Sequence, residues 1–308
     1  MPVIIADDLN DAQAKAYRLA DNKTAEFAEW DVAGLAEELK ELEVVEFDMV
    51  RFGFEPFDNT EVQEDDFDVD AAMPEVPITK HGDIWQLGKH RLMCGDSTDK
   101  ETVEKLMNGQ KADLVFTDPP YNVSFNGRSG KFEVIKNDNL NENDFNAFIL
   151  KAIEAIKNTN AHSYYICCNW KFYSLLMTNM AFDACIVWAK NVFGLGRGYR
   201  HQHEFILFNG FINPDIKNES DLWEISKATN YTHPTQRPIE LSARAIKNSS
   251  KEKNNVVDLF GGSGSTLMAC EQLNRICYMM ELDEKYCDVI VKRWEQFTGQ
   301  KAVLINAT

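Results

Sequence analysis

No run in these 308 residues approaches the ~20 consecutive apolar residues that crossing a bilayer requires. The opening MPVIIADDLNDAQ lacks the basic stretch, apolar core and small-residue cleavage site of a secretory signal. The expectation is a cytoplasmic chain with no membrane partner. Cysteine pairing is also missing. Cys94, Cys167, Cys168, Cys185, Cys270, Cys277 and Cys287 are odd in number and form no CxxC pair, which speaks against a disulfide framework and a zinc site. They read as buried thiols in a reducing compartment. His201, His203 and Glu204 in YRHQHE lack a further ligand nearby, so no metal is expected.

Positive charge is scarce, and the formal net charge is −17. The deficit is local. Residues 1–80 hold 6 Lys/Arg against 22 Asp/Glu, whereas residues 81–308 hold 26 against 27. The body of the chain is near neutral, so whole-chain acidity does not exclude a nucleic-acid partner.

The front, 9–28, carries apolar residues at helical spacing around Ala16, Leu19 and Ala20. A second helical run starts at Val32 behind Asp31. Residues 57–80 are acidic, punctuated by proline and without periodicity, and read as a linker. The division is 1–56 helical, 57–80 linker and 81–308 the main domain. From His81 onward strands and helices alternate. Strands are expected at 91–94, 113–117, 163–168, 185–189, 204–208, 255–260 and 276–281. Helices are expected at 100–108, 143–157, 171–180, 238–249, 265–274 and 284–298. This is an α/β pattern, a mostly parallel seven-stranded sheet with helices on both faces. Ligands of such sheets sit at the carboxyl ends of strands.

Two segments fall at such ends. In VVDLFGGSGSTLMAC, 256–270, an apolar strand runs into a Gly/Ser-rich turn and a helix. Glycines let a backbone approach a ligand closely. Glu281 ends the next strand about 20 residues on, the spacing at which an acid meets ribose hydroxyls. No Lys stands where a phosphate-binding loop needs one, so a ligand with adenosine but no polyphosphate fits better than ATP. The second segment is ADLVFTDPPYN, 112–122, where a strand ends at Thr117 before Asp118, Pro119, Pro120 and Tyr121. The prolines fix φ and remove two N–H donors, leaving a stiff arm of acceptors beside an aromatic ring. Acceptors next to a ring suit the exocyclic amine of a planar base. A proline turn with a surface Tyr is the alternative on DPP alone.

DPPYN at 118–122, HPTQRP at 233–238 and DLFGGSGST at 258–266, in that order, resemble the amino-group DNA methyltransferases that use S-adenosylmethionine, specifically the permuted β-type. CGDST, 94–98, resembles the element at the cofactor's adenine, and FGLGRGYRHQHEFILF, 193–208, the segment lining the target base. The resemblance covers about 81–300 and implies a Rossmann-like methyltransferase fold. It also implies S-adenosyl-L-methionine as cofactor and double-stranded DNA as partner. Asp118, Pro119, Pro120 and Tyr121 would hold the target amine. Asp258, Phe260, Gly261, Gly262 and Gly264 would cradle the cofactor, Glu281 its ribose, Asp96 and Ser97 its adenine end, and Thr235 and Gln236 its methionine end. The family usually has Lys where this chain has Arg237, which keeps the charge but not the geometry.

The implied reaction is methyl transfer to adenine N6 in DNA, with cytosine N4 as the alternative. A non-catalytic DNA-binding or partition-related module is a reading from another class. Asn122, Arg128, Arg197 and Arg200 are candidates for DNA contacts. A homodimer and a separate restriction endonuclease are compatible partners. Residues 2–31 resemble the C-terminal part of ParB-like domains of phage and prophage proteins, without that family's Arg-rich nucleotide-binding segment. A helical appendage is the plainer reading of this front. Trp170, Trp188 and Trp223 are expected in the core.

Overall fold

The structure is a computed structural model that describes residues 9–24, 38, 42, 45, 49, 61–123, 137–194, 198–214, 216, 219–226 and 236–305. The chain divides into two compact units, Met1–Asn59 and Thr60–Thr308. In the first, helix α1 spans Asp11–Thr24. Asn10 and Gln13 start it with a reciprocal capping box, each side-chain oxygen accepting the other's backbone N–H at 3.0 and 2.9 Å. Ala16 is buried, as its place in the helical pattern implies. The helical run expected from Val32 falls almost wholly outside the described residues.

In the second unit the order is α2 (Val69–Ala72), β1 (Ile84–Leu87), β2 (His90–Cys94), α3 (Lys100–Met107), β3 (Leu114–Thr117), α4 (Glu142–Asn158) and β4 (Ser163–Cys168). Then come α5 (Tyr173–Asn179), β5 (Ala184–Ala189), β6 (His203–Gly210), β7 (Leu222–Glu224), α6 (Ile239–Ser249) and β8 (Asn255–Asp258). The chain closes with α7 (Ser265–Gln272), β9 (Ile276–Glu281), α8 (Glu284–Thr298) and β10 (Val303–Ile305). All seven expected strands and six expected helices of the main domain are present.

The strand count is a correction. Among the described residues the sheet has ten strands, in the order β10-β1-β2-β9-β8-β3-β4-β6-β5-β7, and it is mixed. Five neighbours, β2, β9, β8, β3 and β4, are parallel. Strand β6 runs against β4 and β5, and β1 runs against β2 and β10. The three extra strands have three or four residues each, too short for an apolar run to mark them.

Alternation along the strands fills two cores, one on each face of the sheet. Leu114 and Phe116 of β3 join Leu241, Leu267 and Ile290 of α6, α7 and α8. Val115, between them, joins Leu106, Ile153 and Leu176 of α3, α4 and α5. Helices therefore cover both faces, and buried side chains on both explain why the strands read as continuous apolar runs. Trp188 and Trp223 lie in the first core as expected, but Trp170 is 63% exposed. Trp170 follows the end of β4 and belongs to neither core.

Residues 61–80 are not a free tether. They belong to the second unit, where Phe67 and Val69 pack on Val289 of α8 and Ile78 and Thr79 donate backbone N–H groups to Asp288.

A buried histidine ties four elements together. His90 Nδ1 accepts the Cys277 N–H at 2.9 Å, so the proton resides on Nε2, which donates to Glu271 at 2.9 Å. Burial lowers the His90 pKa, in keeping with this neutral ring. Glu271 also accepts from Trp294 Nε1 at 2.7 Å, which joins β2 and β9 to α7 and α8. Replacing His90 with Ala leaves a buried N–H and a carboxylate short of partners. The expected loss is about 2–4 kcal/mol of unfolding free energy, read by urea denaturation.

Candidate active site

Four adjacent parallel strands, β2, β9, β8 and β3, end at one edge, and their next residues face one cleft of about 340 Å³. Asp96 and Ser97 follow β2, Glu281 ends β9, Phe260–Gly262 follow β8 and Asp118–Tyr121 follow β3. The crossovers from β8 and β3 depart in opposite directions along the sheet, so the cleft lies at the switch point where α/β sheets bind ligands. Its volume lies in the ordinary range for a small-molecule site, about 300–1,000 Å³.

One end of the cleft is the Gly-rich turn. Gly261 N–H donates to the Met280 carbonyl at 2.8 Å, and Gly262 N–H to Glu281 Oε2 at 2.7 Å. A Cβ on Gly261 would come within 2.7 Å of Met279, so the close approach to β9 requires glycine there. Gly264 takes φ +87° at the start of α7, where no side chain caps the helix. Glu281 Oε1 accepts the Asp283 N–H at 2.8 Å. Burial without a cation pushes the Glu281 carboxyl up to about 7. Its partners, Gly262, Asp283 and Leu282, are backbone donors, and a carboxylate has further acceptor capacity for ligand hydroxyls. Asp96 accepts from the Thr98 N–H and hydroxyl, both at 2.8 Å.

Asp258 stands apart from the other acids. It lines the cleft, but Oδ1 accepts from Thr117 at 3.0 Å and Phe260 N at 3.1 Å, and Oδ2 from Thr266 at 2.7 Å. These bonds stitch β3, β8 and α7 together. Burial holds its carboxyl up at about 7.

At the other end Arg237 grips Asp118. Its Nε donates to Oδ2 at 2.6 Å and its Nη2 to Oδ1 at 3.0 Å, a bidentate pair. Nη2 also donates to the Tyr121 hydroxyl at 2.8 Å, and Nη1 pairs with Glu204 Oε2. The Tyr121 hydroxyl donates to Glu204 Oε2 at 3.0 Å, and Lys190 pairs with Oε1. The guanidinium lies 5.5 Å from the Tyr121 ring centre and 5.2 Å from that of Trp188. Burial works against the Glu204 charge, but Arg237 and Lys190 prevail and bring its carboxyl down to about 2.

Of the expected residues, the structure gathers Asp96, Ser97, Asp118, Pro119, Pro120, Tyr121, Asp258, Phe260, Gly261, Gly262 and Glu281 around the cleft. Gly264 starts α7 beside it. Gln236 is 2% exposed, and neither its amide nitrogen nor its oxygen has a hydrogen-bond partner. Asn122 clasps Leu140, donating to its carbonyl at 2.9 Å and accepting its N–H at 2.8 Å. Arg200 is exposed. Thr235, Arg128 and Arg197 lie outside the described residues. Sequence reasoning missed Glu204, Lys190 and Trp188 as site residues. The hint was the charged pair at the ends of two apolar strands, Lys190 after β5 and Glu204 opening β6, set opposite Arg237.

The raised carboxyl of Glu281 has a thermodynamic consequence. Between 4.5, its ordinary value, and about 7 the folded protein holds a proton that the unfolded chain releases. Stability therefore falls as pH rises through this window and the penalty is complete above it. Glu281→Gln removes that dependence. Its melting temperature without ligand should gain on the parent's between pH 4.5 and 7, and a constant difference across that window would contradict the assignment.

Residues 209–292 match the profile of the DNA methylase family of N6 and N4 methyltransferases, a span that holds the Gly-rich turn and Glu281. The chain is 28% identical over 247 residues to the Type II methyltransferase M.HpaI of Haemophilus parainfluenzae, covering 68% of this chain and 76% of that protein. It is 26% identical over 246 residues to the Type II methyltransferase M.HinfI of Haemophilus influenzae, covering 66% of this chain and 67% of that one. Among solved structures it resembles a putative DNA modification methylase from Thermus thermophilus, complexed with S-adenosyl-L-methionine. The TM-score is 0.51 at 19% identity, covering 71% of this chain and 99% of that one, a likeness of fold. One stretch of the chain thus matches the N6/N4 DNA methylase profile, and its likeness to two Type II methyltransferases spans about two thirds of it.

Proposed function

We propose that this protein transfers a methyl group from S-adenosyl-L-methionine to the exocyclic N6 amine of adenine in double-stranded DNA. The observation that carries this reading is the single cleft joining Glu281 and the Gly-rich turn to Asp118, Pro119 and Tyr121. The order of the segments, DPPY before the Gly-rich turn, supports the permuted type.

The residues fit the cofactor. Glu281 offers acceptors for ribose hydroxyls, and Phe260 and Tyr286 line the same end of the cleft. Gln236, expected at the cofactor's methionine end, is buried with an unpaired amide but is not among the residues that line the cleft. When bound, the cofactor supplies an electrophilic methyl on a sulfonium centre.

The protein's own part is alignment. The target amine is conjugated with its ring and is a weak nucleophile. Asp118 and the Pro119 carbonyl accept its two N–H groups, and Tyr121 receives the ring. This favours a tetrahedral nitrogen whose lone pair faces the methyl. Arg237 holds both Asp118 oxygens and pairs with Glu204 on its other side, so seating the amine on Asp118 requires Arg237 to release one of those oxygens. Flipping the base out of the duplex costs a few kcal/mol, about what a desolvated stacking site returns. No covalent intermediate is needed. Burial pushes the Cys167 thiol, the cysteine nearest this chemistry, well up from its ordinary value and makes it a poor nucleophile.

Cytosine N4 methylation is the second reading, because the family profile spans both amines. Asp118→Ala should lower transfer at least about 10³-fold while leaving cofactor affinity by calorimetry within a few-fold. Nucleoside analysis of the methylated DNA should return N6-methyladenine. N4-methylcytosine would move the assignment to the second reading, and undiminished transfer by the variant would remove Asp118 from the mechanism.

A further inference from the structure

The acidic stretch before the main domain reads as solvated chain, yet three consecutive residues of it each hold a different helix. Gln63 exchanges two hydrogen bonds with Gln272 of α7, its N–H donating at 2.7 Å and its carbonyl accepting at 3.0 Å. Glu64 accepts the Glu240 N–H at 2.9 Å, capping the start of α6, which has no side-chain cap of its own. Asp65 takes both arms of Arg293 on α8, from Nε at 2.6 Å and from Nη2 at 2.7 Å.

The third contact leads to the cleft. The Arg293 side chain is 1% exposed, and its remaining terminal nitrogen, Nη1, donates to the Ser263 carbonyl at 2.9 Å. Ser263 lies in the Gly-rich turn and lines the cleft. Gly261 is held by β9, Gly262 by Glu281 and Ser263 by Arg293, whose Nη1 also reaches the Ser263 and Ser265 hydroxyls at 3.5 Å, so successive residues of the turn are each tied to a different part of the fold. A buried guanidinium takes one orientation only if its charge is balanced in place. Asp65 supplies that balance, through the Nε and Nη2 arms that the turn does not use.

We propose that Asp65 is a positioning residue for the cofactor turn, acting through Arg293 on Ser263, so that the acidic strap sets how tightly the cleft binds S-adenosylmethionine. This rests on the cofactor reading above. The relay itself is a property of the protein alone.

The test uses the full chain with Asp65→Asn and the charge-free pair Asp65→Leu/Arg293→Met. Cofactor affinity is read by calorimetry, and backbone order in 261–266 by hydrogen exchange without ligand. In Asp65→Asn, exchange in 261–266 should rise while the β3 and β4 amides keep theirs. Affinity should fall about tenfold, with kcat at saturating cofactor little changed. The paired variant should recover melting temperature, because no charge is left buried alone. It should keep the weak affinity, because Ser263 still lacks its donor. Recovery of affinity in the pair, or unchanged exchange and affinity in Asp65→Asn, would overturn the proposal. If the parent protein binds no S-adenosylmethionine, the cofactor reading falls, and exchange in 261–266 still decides the relay.

Discussion

One guanidinium organises the reactive end of this protein. Arg237 stands just before α6, yet it bonds Asp118 and Tyr121 beyond β3 and Glu204 at the start of β6, and lies beside Trp188 of β5. Its own carbonyl accepts from Ser265 at 2.7 Å, at the start of α7. Elements distant in sequence therefore converge on one planar cation. A lysine could not reproduce this, because it lacks the fork that serves two carboxylates and a phenol at once. The guanidinium is planar, bears N–H donors and lies against aromatic rings. In these respects it resembles the amine-bearing base that the proposed function would seat on the DPPY arm.

The acids at the strand ends are treated in two ways, and the difference separates their roles. Asp118 and Glu204 share a cation. Asp258 and Glu281 are buried among neutral donors, with carboxyls pushed up to about 7. Asp258 spends its oxygens on Thr117, Phe260 and Thr266 and braces the sheet against α7. Glu281 spends its oxygens on the turn and on Asp283, at the edge of the cleft. A site that stores such unfavourable burial gains when ligand donors arrive.

Most of the sheet is legible in the sequence because the strands between two helix layers are apolar without interruption, as in SYYICC and CIVWA. Strands β1, β7 and β10 are not, being short and partly exposed. DPPY and the Gly-rich turn are legible because they break such runs with residues of special backbone freedom or stiffness. The strap reads as a linker because composition reports average solvation. Asp65 finds its partner 228 residues away, and no local pattern encodes that pairing. The cage of Glu204, Lys190 and Trp188 escapes for the same reason. Residue type alone places Trp170 in the core, but it follows β4 at the carboxyl edge of the sheet and packs into neither helix-covered face.

Methyl transfer requires that one cleft bring methyl donor and base amine together. The most direct measurement is incubation of the protein with S-adenosyl-L-methionine carrying a trideuterated methyl and unmethylated double-stranded DNA, followed by hydrolysis and mass spectrometry of the nucleosides. The predicted result is deoxyadenosine gaining an intact trideuteromethyl group on N6. DNA that acquires no deuterium across varied duplexes, from protein shown to be folded, would contradict it.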